Sequence, residues 1–288
     1  MALVIAVLSA FCFAIALVTA RVGLRALDAR SGAAISIPTA TLVFVLAAPF
    51  ALDTTGLDTR AVLLFAVVGL FFPVSVTLLT FRSNELLGPT VTSAVSGIAP
   101  LFAILTAHLF LGERVPAQAA VSTLGVVAGV ALLSWRRGAV RSGFIGWALL
   151  WPLAGAVVRA FAQTGAKAGL LLWSNAFAAG LIGYLVSCAI VLASDRIRGA
   201  ARPPRTRLGI AWFAGTGVLN GGAVLLMYYA LSMAPVWVVA PIIASYPLIT
   251  AIIGTAVLHD EKLTLQGATG ALTTIAAIIY LLTAVRPQ

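Results

Sequence analysis

One arginine, Arg159, lies inside an otherwise apolar run, WALLWPLAGAVVRAFAQTGA. A cation in a lipid-spanning segment costs a few kcal/mol unless it faces a polar cavity or snorkels to a surface. Trp147, Trp151, Gly155, Arg159 and Gln163 recur at every fourth position, a spacing that places side chains on one helix face. Two indoles, a glycine, a guanidinium and an amide grouped in this way suit a cavity that grips a carboxylate over an aromatic wall. In the competing reading Arg159 snorkels outward with Lys167. The residues alone leave both open.

The remaining polar candidates are scattered along other apolar runs. Asn220 and Tyr228 flank Val224 at spacings of four, beside Gly217, Gly221 and Gly222, and glycines let a neighbouring helix approach closely. Ser245 and Tyr246 stand between Pro241 and Pro247, and Thr92 and Ser96 precede Gly97 and Pro100. Ser75 and Thr77 follow Pro73 in a run closed by Phe81, and Phe13 follows Ser9 in the first run. Each has a plainer role: an asparagine can join helices, a hydroxyl can bond its own backbone, and an aromatic ring can pack or anchor at an interface. With Arg159, Gln163 and Trp151, they are the candidate substrate contacts. Pro73, Pro100, Pro152, Pro241 and Pro247 fall within the runs. Each removes a backbone hydrogen bond and permits a kink. They are the candidate hinges, with the doubly prolinated run at 236–258 as the moving gate and bends expected in the third, fourth, eighth and ninth runs.

Absences bound the chemistry further. All eight acidic residues, Asp28, Asp53, Asp58, Glu85, Glu113, Asp195, Asp260 and Glu261, lie at the ends of apolar runs or between them. A pump that exchanges protons for cations keeps a carboxylate within the membrane, so facilitated diffusion or exchange is expected. His108 lies one turn from the end of its run and reads as interfacial. With only two histidines and no phosphate loop, HExxH or nucleophile elbow, the sequence points to no enzyme, cofactor or metal. Cys12 and Cys188 sit inside apolar runs and read as buried thiols.

The elements that must position these residues follow from composition. Hydrophobic residues make up 61% of the 288 and charged residues 9%, against roughly 45–50% and about 25% in soluble domains. This is an integral membrane protein. Its net charge of +10 is distributed between apolar runs rather than along a basic face, which excludes nucleic acid as a partner. Ten runs are long enough to span: 2–22, 32–52, 60–81, 90–111, 117–135, 143–165, 173–194, 208–231, 236–258 and 264–285. They are helical, because lipid offers the backbone no hydrogen bonds and continuous apolar runs do not alternate as barrel strands do. The first run lacks the basic start of a secretory signal and reads as a retained helix. Thirteen Lys and Arg residues fall on the side reached after odd-numbered spans and four on the other. Basic loops stay cytoplasmic, so both termini are expected outside.

The stretch Ser93–Val115 echoes Ala244–Leu263, with an internal proline and an acidic-basic end in both, and Gln118 and Gln266 each follow the conserved-spacing glutamate by five residues. The period is half the chain. Two copies, 1–135 and 143–288, joined by the linker 135–143, each carry five spans. An odd number forces the copies into opposite orientations, an inverted repeat with its site at the interface. The fold class is therefore all-α, ten transmembrane helices as two inverted five-helix repeats around a central cavity.

A ten-helix chain whose fourth span contains Pro100 and ends in Leu111-Gly112-Glu113-Arg114, with Gln118 and Gly125 following, resembles the drug/metabolite transporter superfamily and its EamA-type members. The second copy departs from the pattern, with His259-Asp260-Glu261 in place of Leu-Gly-Glu. The resemblance implies a cavity surrounded by spans 1, 3, 4, 6, 8 and 9, with 5 and 10 peripheral. In length the chain is similar to the YddG-like exporters of amino acids and related metabolites. It implies a transporter of the bacterial inner membrane that exports a small zwitterionic or neutral solute, amino acids first, by alternating access. The alternatives are an exchanger of anionic metabolites such as sugar phosphates, which would want more cavity cations than Arg159 and Lys167, and a non-transporting receptor or scaffold. The expected partners are the small-molecule substrate and the bilayer, and a monomer is the simplest assembly.

Overall fold

The computed structural model of the chain describes residues 1–134, 147–198, 206–258 and 265–284, which form helices and short connections. The expected inter-repeat linker, the turn at His259-Asp260-Glu261 and most of the basic loop after Asp195 lie outside the described residues. The helices are α1 (Ala2–Gly23), α2 (Ala29–Ala51), α3 (Thr59–Phe71), α4 (Val74–Ser96), α5 (Ala99–Leu111), α6 (Ala117–Ser134), α7 (Leu150–Leu172), α8 (Ala176–Arg198), α9 (Arg207–Met233), α10 (Val236–Ile243), α11 (Tyr246–Leu258) and α12 (Leu265–Ala284). Eight apolar helical stretches among the described residues are long enough to cross a membrane. Two of the terminal acids cap helices: Asp28 accepts from the Ser31 amide at the start of α2, and Asp58 from the Arg60 and Ala61 amides at the start of α3. Such caps satisfy amides that a helix start leaves unpaired.

Several runs are broken where the prolines fall. α3 stops at Phe72, whose backbone is extended, and α4 begins after Pro73. α4 itself turns at Gly88, with φ 79° and ψ 170°, a left-handed φ that glycine alone adopts without strain. Residues 74–87 therefore complete the third span and 89–96 open the fourth. The fourth breaks again at Gly97 and Ile98, with Pro100 in the first turn of α5. The ninth breaks at Ala244 and Ser245, with Pro241 inside α10 and Pro247 in the first turn of α11. Pro152 lies in the first turn of α7, where a missing amide costs little. The eighth run carries no break: α9 is 27 residues of continuous helix.

The sixth span runs past its expected end at 165, while residues 143–146 at its expected start lie outside the described residues. α7 runs Leu150–Leu172, past the lysine that closed the apolar run in the sequence. Lys167 is only 8% exposed. Its Nζ donates to the carbonyls of Leu231, at 2.7 Å, and Ala234, at 3.1 Å, so the charge needs no aqueous surface and the helix continues. Arg159 consequently lies near the middle of α7 rather than near its end. The third span likewise outruns its expected end at 81, with Arg82 and Glu85 paired at 2.6 Å in its last turns.

The helices pack in reciprocal pairs. α1 lies antiparallel to α9, where Ser9 Oγ donates to Ala223 O at 2.7 Å and Thr19 meets Thr216 at 2.9 Å. α7 lies against α3 and α4, and Thr106 joins α5 to α7 through Thr164 at 2.7 Å. α2 packs on α8 and α9, and Thr41 Oγ1 donates to Tyr184 O. α3 meets α8, where Ser187 Oγ donates to Gly69 O. α6 and α12 pack mainly on each other, and the Gln118 amide donates to Tyr280 O at 3.0 Å. At the α2–α9 crossing a Cβ on Gly217 would lie 2.3 Å from Ser36 O, whereas one on Gly222 would meet nothing within 4 Å.

Gly217→Ala should thus cost about 1–3 kcal/mol through overpacking against backbone, read as a lower melting temperature in detergent. Gly222→Ala, on the same helix, should be neutral within about 0.5 kcal/mol. Equal losses would remove the close backbone approach as the cause.

Candidate functional site

Arg159 is the centre of the site. It is 8% exposed, its guanidinium carbon lies 4.9 Å from the Phe13 ring centroid and 5.9 Å from that of Tyr246. These two rings come from α1 and α11, so the cation is held where elements of both halves meet. Ring faces attract a cation, but by less than a carboxylate would. Arg159 Nη1 is buried and has no hydrogen-bond partner, and among the described residues no carboxylate pairs with the group.

Two small adjoining cavities, of about 30 and 20 Å³, share Phe13, Thr80, Phe81, Arg159 and Asn220 in their walls. The first continues along Phe72, Pro73, Val76, Thr77, Tyr184 and Val224, and the second along Ala16, Leu17 and Tyr246. α1, α4, α7, α8, α9 and α11 all contribute. The side chains of Thr77, Thr80 and Asn220 hydrogen-bond to nothing among the described residues. A hydroxyl or amide so placed can bind a solute at no cost to the protein's own bonding. One guanidinium, three neutral polar groups and a wall of Phe13, Phe72, Phe81 and Tyr246 therefore surround one small space.

The other candidates are placed elsewhere. Gln163, one turn along α7, is 3% exposed; its Nε2 donates to Met227 Sδ at 3.4 Å and its Oε1 is buried without a partner. Tyr228 is buried near Tyr184 but lines neither cavity. Ser96 is buried within hydrogen-bonding reach of the Tyr246 phenol. Thr92 pairs with Ser83 at 2.8 Å across the Gly88 turn, and Ser245 Oγ donates to Ile242 O at 2.7 Å. Both serve the helix breaks. Ser75 is replaced in the wall by Thr77 and Thr80. Trp151 is 41% exposed and Trp147 77%, so the expected indole wall is absent. A step of four residues overshoots a helical turn by about 40°, and from Arg159 back to Trp151 the drift is about 80°. His108 is exposed at the end of α5, its Nδ1 3.0 Å from Glu113 O.

Tyr184 and Thr80 were not among the expected contacts. Thr80 lies one turn beyond Thr77 and was legible at that spacing. Tyr184 is the lone polar aromatic in FAAGLIGYLVSC, and its signal was a phenol with no reason to lie in lipid.

The EamA-like transporter family model matches residues 1–135 and 145–283, one match in each half. No curated protein matches the chain. A solved crystal structure is similar at 15% identity and a TM-score of 0.77, over 99% of this chain and 97% of the other. That likeness extends to the fold.

Because Arg159 lacks an acidic partner, its removal breaks no ion pair. Arg159→Met should leave the melting temperature unchanged or raise it by a few degrees, as expected when a strained site is relieved. A fall of several degrees would show that the guanidinium holds the fold rather than awaiting a ligand.

Proposed function

We propose that this chain, which belongs to the EamA-like transporter family, moves small carboxylate-bearing solutes across a bilayer, amino acids first, with Arg159 as the carboxylate anchor. The observation that carries this is the buried, unpartnered Nη1 of Arg159, a residue that lines a cavity with no acid in its wall. The ring faces of Phe13 and Tyr246 orient the guanidinium, and a carboxylate can then take charge-assisted bonds from it. Thr77, Thr80 and Asn220 suit the polar remainder of the solute, and the phenylalanines suit its apolar part.

A ten-span inverted repeat is the architecture of this reading, and the packing supports it. Exchanging the halves turns α1–α9 into α7 with α3 and α4, α2–α9 into α8–α3, and α1 with α10 and α11 into α7–α5, while α2–α8 and α6–α12 map onto themselves. The breaks at 72–73, 97–98 and 244–245 surround the cavity and are the places where spans bend in alternating access. The bias of basic residues favours a bacterial inner membrane with both termini outside. With the acids at the ends of the spans or between them, exchange or facilitated efflux fits better than proton coupling. An anion exchanger for phosphates is less well supported: Lys167 is engaged on backbone carbonyls, which leaves one cation in the cavity.

Flux in proteoliposomes over a panel of labelled amino acids, each paired with its decarboxylated amine, tests the reading. Carboxylate-bearing members should move and the amines should not. Arg159→Gln should weaken binding by about 10–100-fold, the worth of roughly 1.5–3 kcal/mol for a hydrogen bond to a charged group. Equal transport of the amines, or no flux of any carboxylate member, would overturn it.

A further inference from the structure

We infer that Arg21 and Lys167 are paired latches that close opposite ends of the solute path, an inference that rests on the transport reading above. Both are cations seated on the carbonyl end of a span, where a helix terminus leaves acceptors unpaired and the peptide dipoles favour positive charge. Arg21 Nη1 donates to Asn84 O at 2.7 Å and Glu85 O at 3.2 Å, just before the Gly88 turn that joins the third span to the fourth. Lys167 Nζ donates to Leu231 O and Ala234 O, at the turn that joins α9 to α10. The two clasps are related by the internal repeat: about 146 residues separate Arg21 from Lys167 and about 147 separate Asn84 from Leu231, against about 148 between the echoing Glu113 and Glu261.

The clasps lie at opposite ends of the molecule. α1 and α9 run antiparallel, as the Ser9–Ala223 and Thr19–Thr216 bonds require. Arg21 is therefore at the end where α9 begins, and Lys167 is where it finishes. Each clasp is reinforced by a second bond. Asn84 Nδ2 donates back to Leu17 O at 2.9 Å. At the other end the Glu113 carboxylate accepts from the Val236 amide, at 3.0 and 3.1 Å, so the α9–α10 turn is held by a cation on its carbonyls and an anion on the next helix start.

Both latches connect to the cavity. The cavity wall on α1 runs through Phe13, Ala16 and Leu17, and Arg21 is one turn further. On α7, Arg159 and Lys167 are eight residues apart, about 12 Å along the axis, with the buried, unpartnered Gln163 Oε1 between them. A carboxylate leaving Arg159 toward either end therefore meets a cation that can exchange backbone carbonyls for the solute. Both latches are engaged in this structure. Releasing one frees the turn it holds and opens that end.

Thiol accessibility tests this without any solute. In a background lacking Cys12 and Cys188, a cysteine at Gln163 and, separately, one at Leu17 are labelled with a membrane-impermeant maleimide from each side of the membrane. Lys167→Met should speed labelling at 163 at least 10-fold from the Lys167 side and slow it at 17. Arg21→Met should do the reverse, and Lys167→Arg should restore the wild-type pattern. Unchanged labelling at both positions, or equal acceleration at both, would overturn the latches. If Lys167→Met does not fold, Lys167→Gln, which keeps a neutral donor group without the charge, reads the same side preference. The carboxylate–amine flux panel is scored separately, so a failure of the substrate reading leaves the labelling result standing on its own.

Discussion

A cation in a membrane span must be compensated by partners within the protein, and in this chain the positions of three cations organise the rest. Arg159 is balanced by two ring faces, Lys167 by the Leu231 and Ala234 carbonyls with the Glu113 carboxylate nearby, and the half-buried Arg21 by two carbonyls of α4. None of these bonds replaces water fully, so each cation limits where its helix can sit. α7 carries two of the three. Its register, its length past Lys167 and its contacts with α3, α4 and α5 all follow from bringing Arg159 to the centre while Lys167 reaches the end of α9.

The packing that allows this uses small residues and breaks rather than bulk. Gly165 and Gly169 on α7 admit Val68 and Phe65 of α3, and Gly23 and Gly32 give room to Phe213. Lipid tails are as apolar as any side chain, so helices in a membrane associate by close fit rather than by excluding water. Close fit makes the spans rigid, and the flexibility that a carrier needs is concentrated where the helices are already interrupted. Those interruptions, at Phe72, Gly97 and Ala244, lie beside Pro73, Ser96 and Tyr246 at or next to the cavity.

Much of this was legible in the sequence, and the misses share a cause. The membrane class and the two-fold repeat followed from apolar runs and one echo, because lipid tolerates few other solutions. Arg159, Asn220, Phe13, Phe81 and Tyr246 were identifiable as polar or aromatic residues needing a reason to be mid-span. Trp151 was misplaced because a four-residue stripe drifts around a helix, and the end of the sixth span because Lys167 looked like a surface signal. Thr92 and Ser245 turned out to bond within the helix breaks. Whether a hydroxyl faces a cavity or a carbonyl depends on tertiary neighbours that a single span does not encode.

The unpaired charge also bears on energetics. In the transport reading the guanidinium is unpaired in the empty carrier, and a bound carboxylate pairs with it. A zwitterionic amino acid adds no net charge, so the membrane field acts alike on both forms, but burying the guanidinium without a partner carries a desolvation cost. The loaded form avoids that cost, so in this reading it reorients more readily than the empty one. A protein with a carboxylate beside Arg159 would lose this asymmetry, because its empty state would already be paired. In the same reading the missing acid leaves the guanidinium free for the solute and biases the cycle toward returning with another solute aboard, which is exchange.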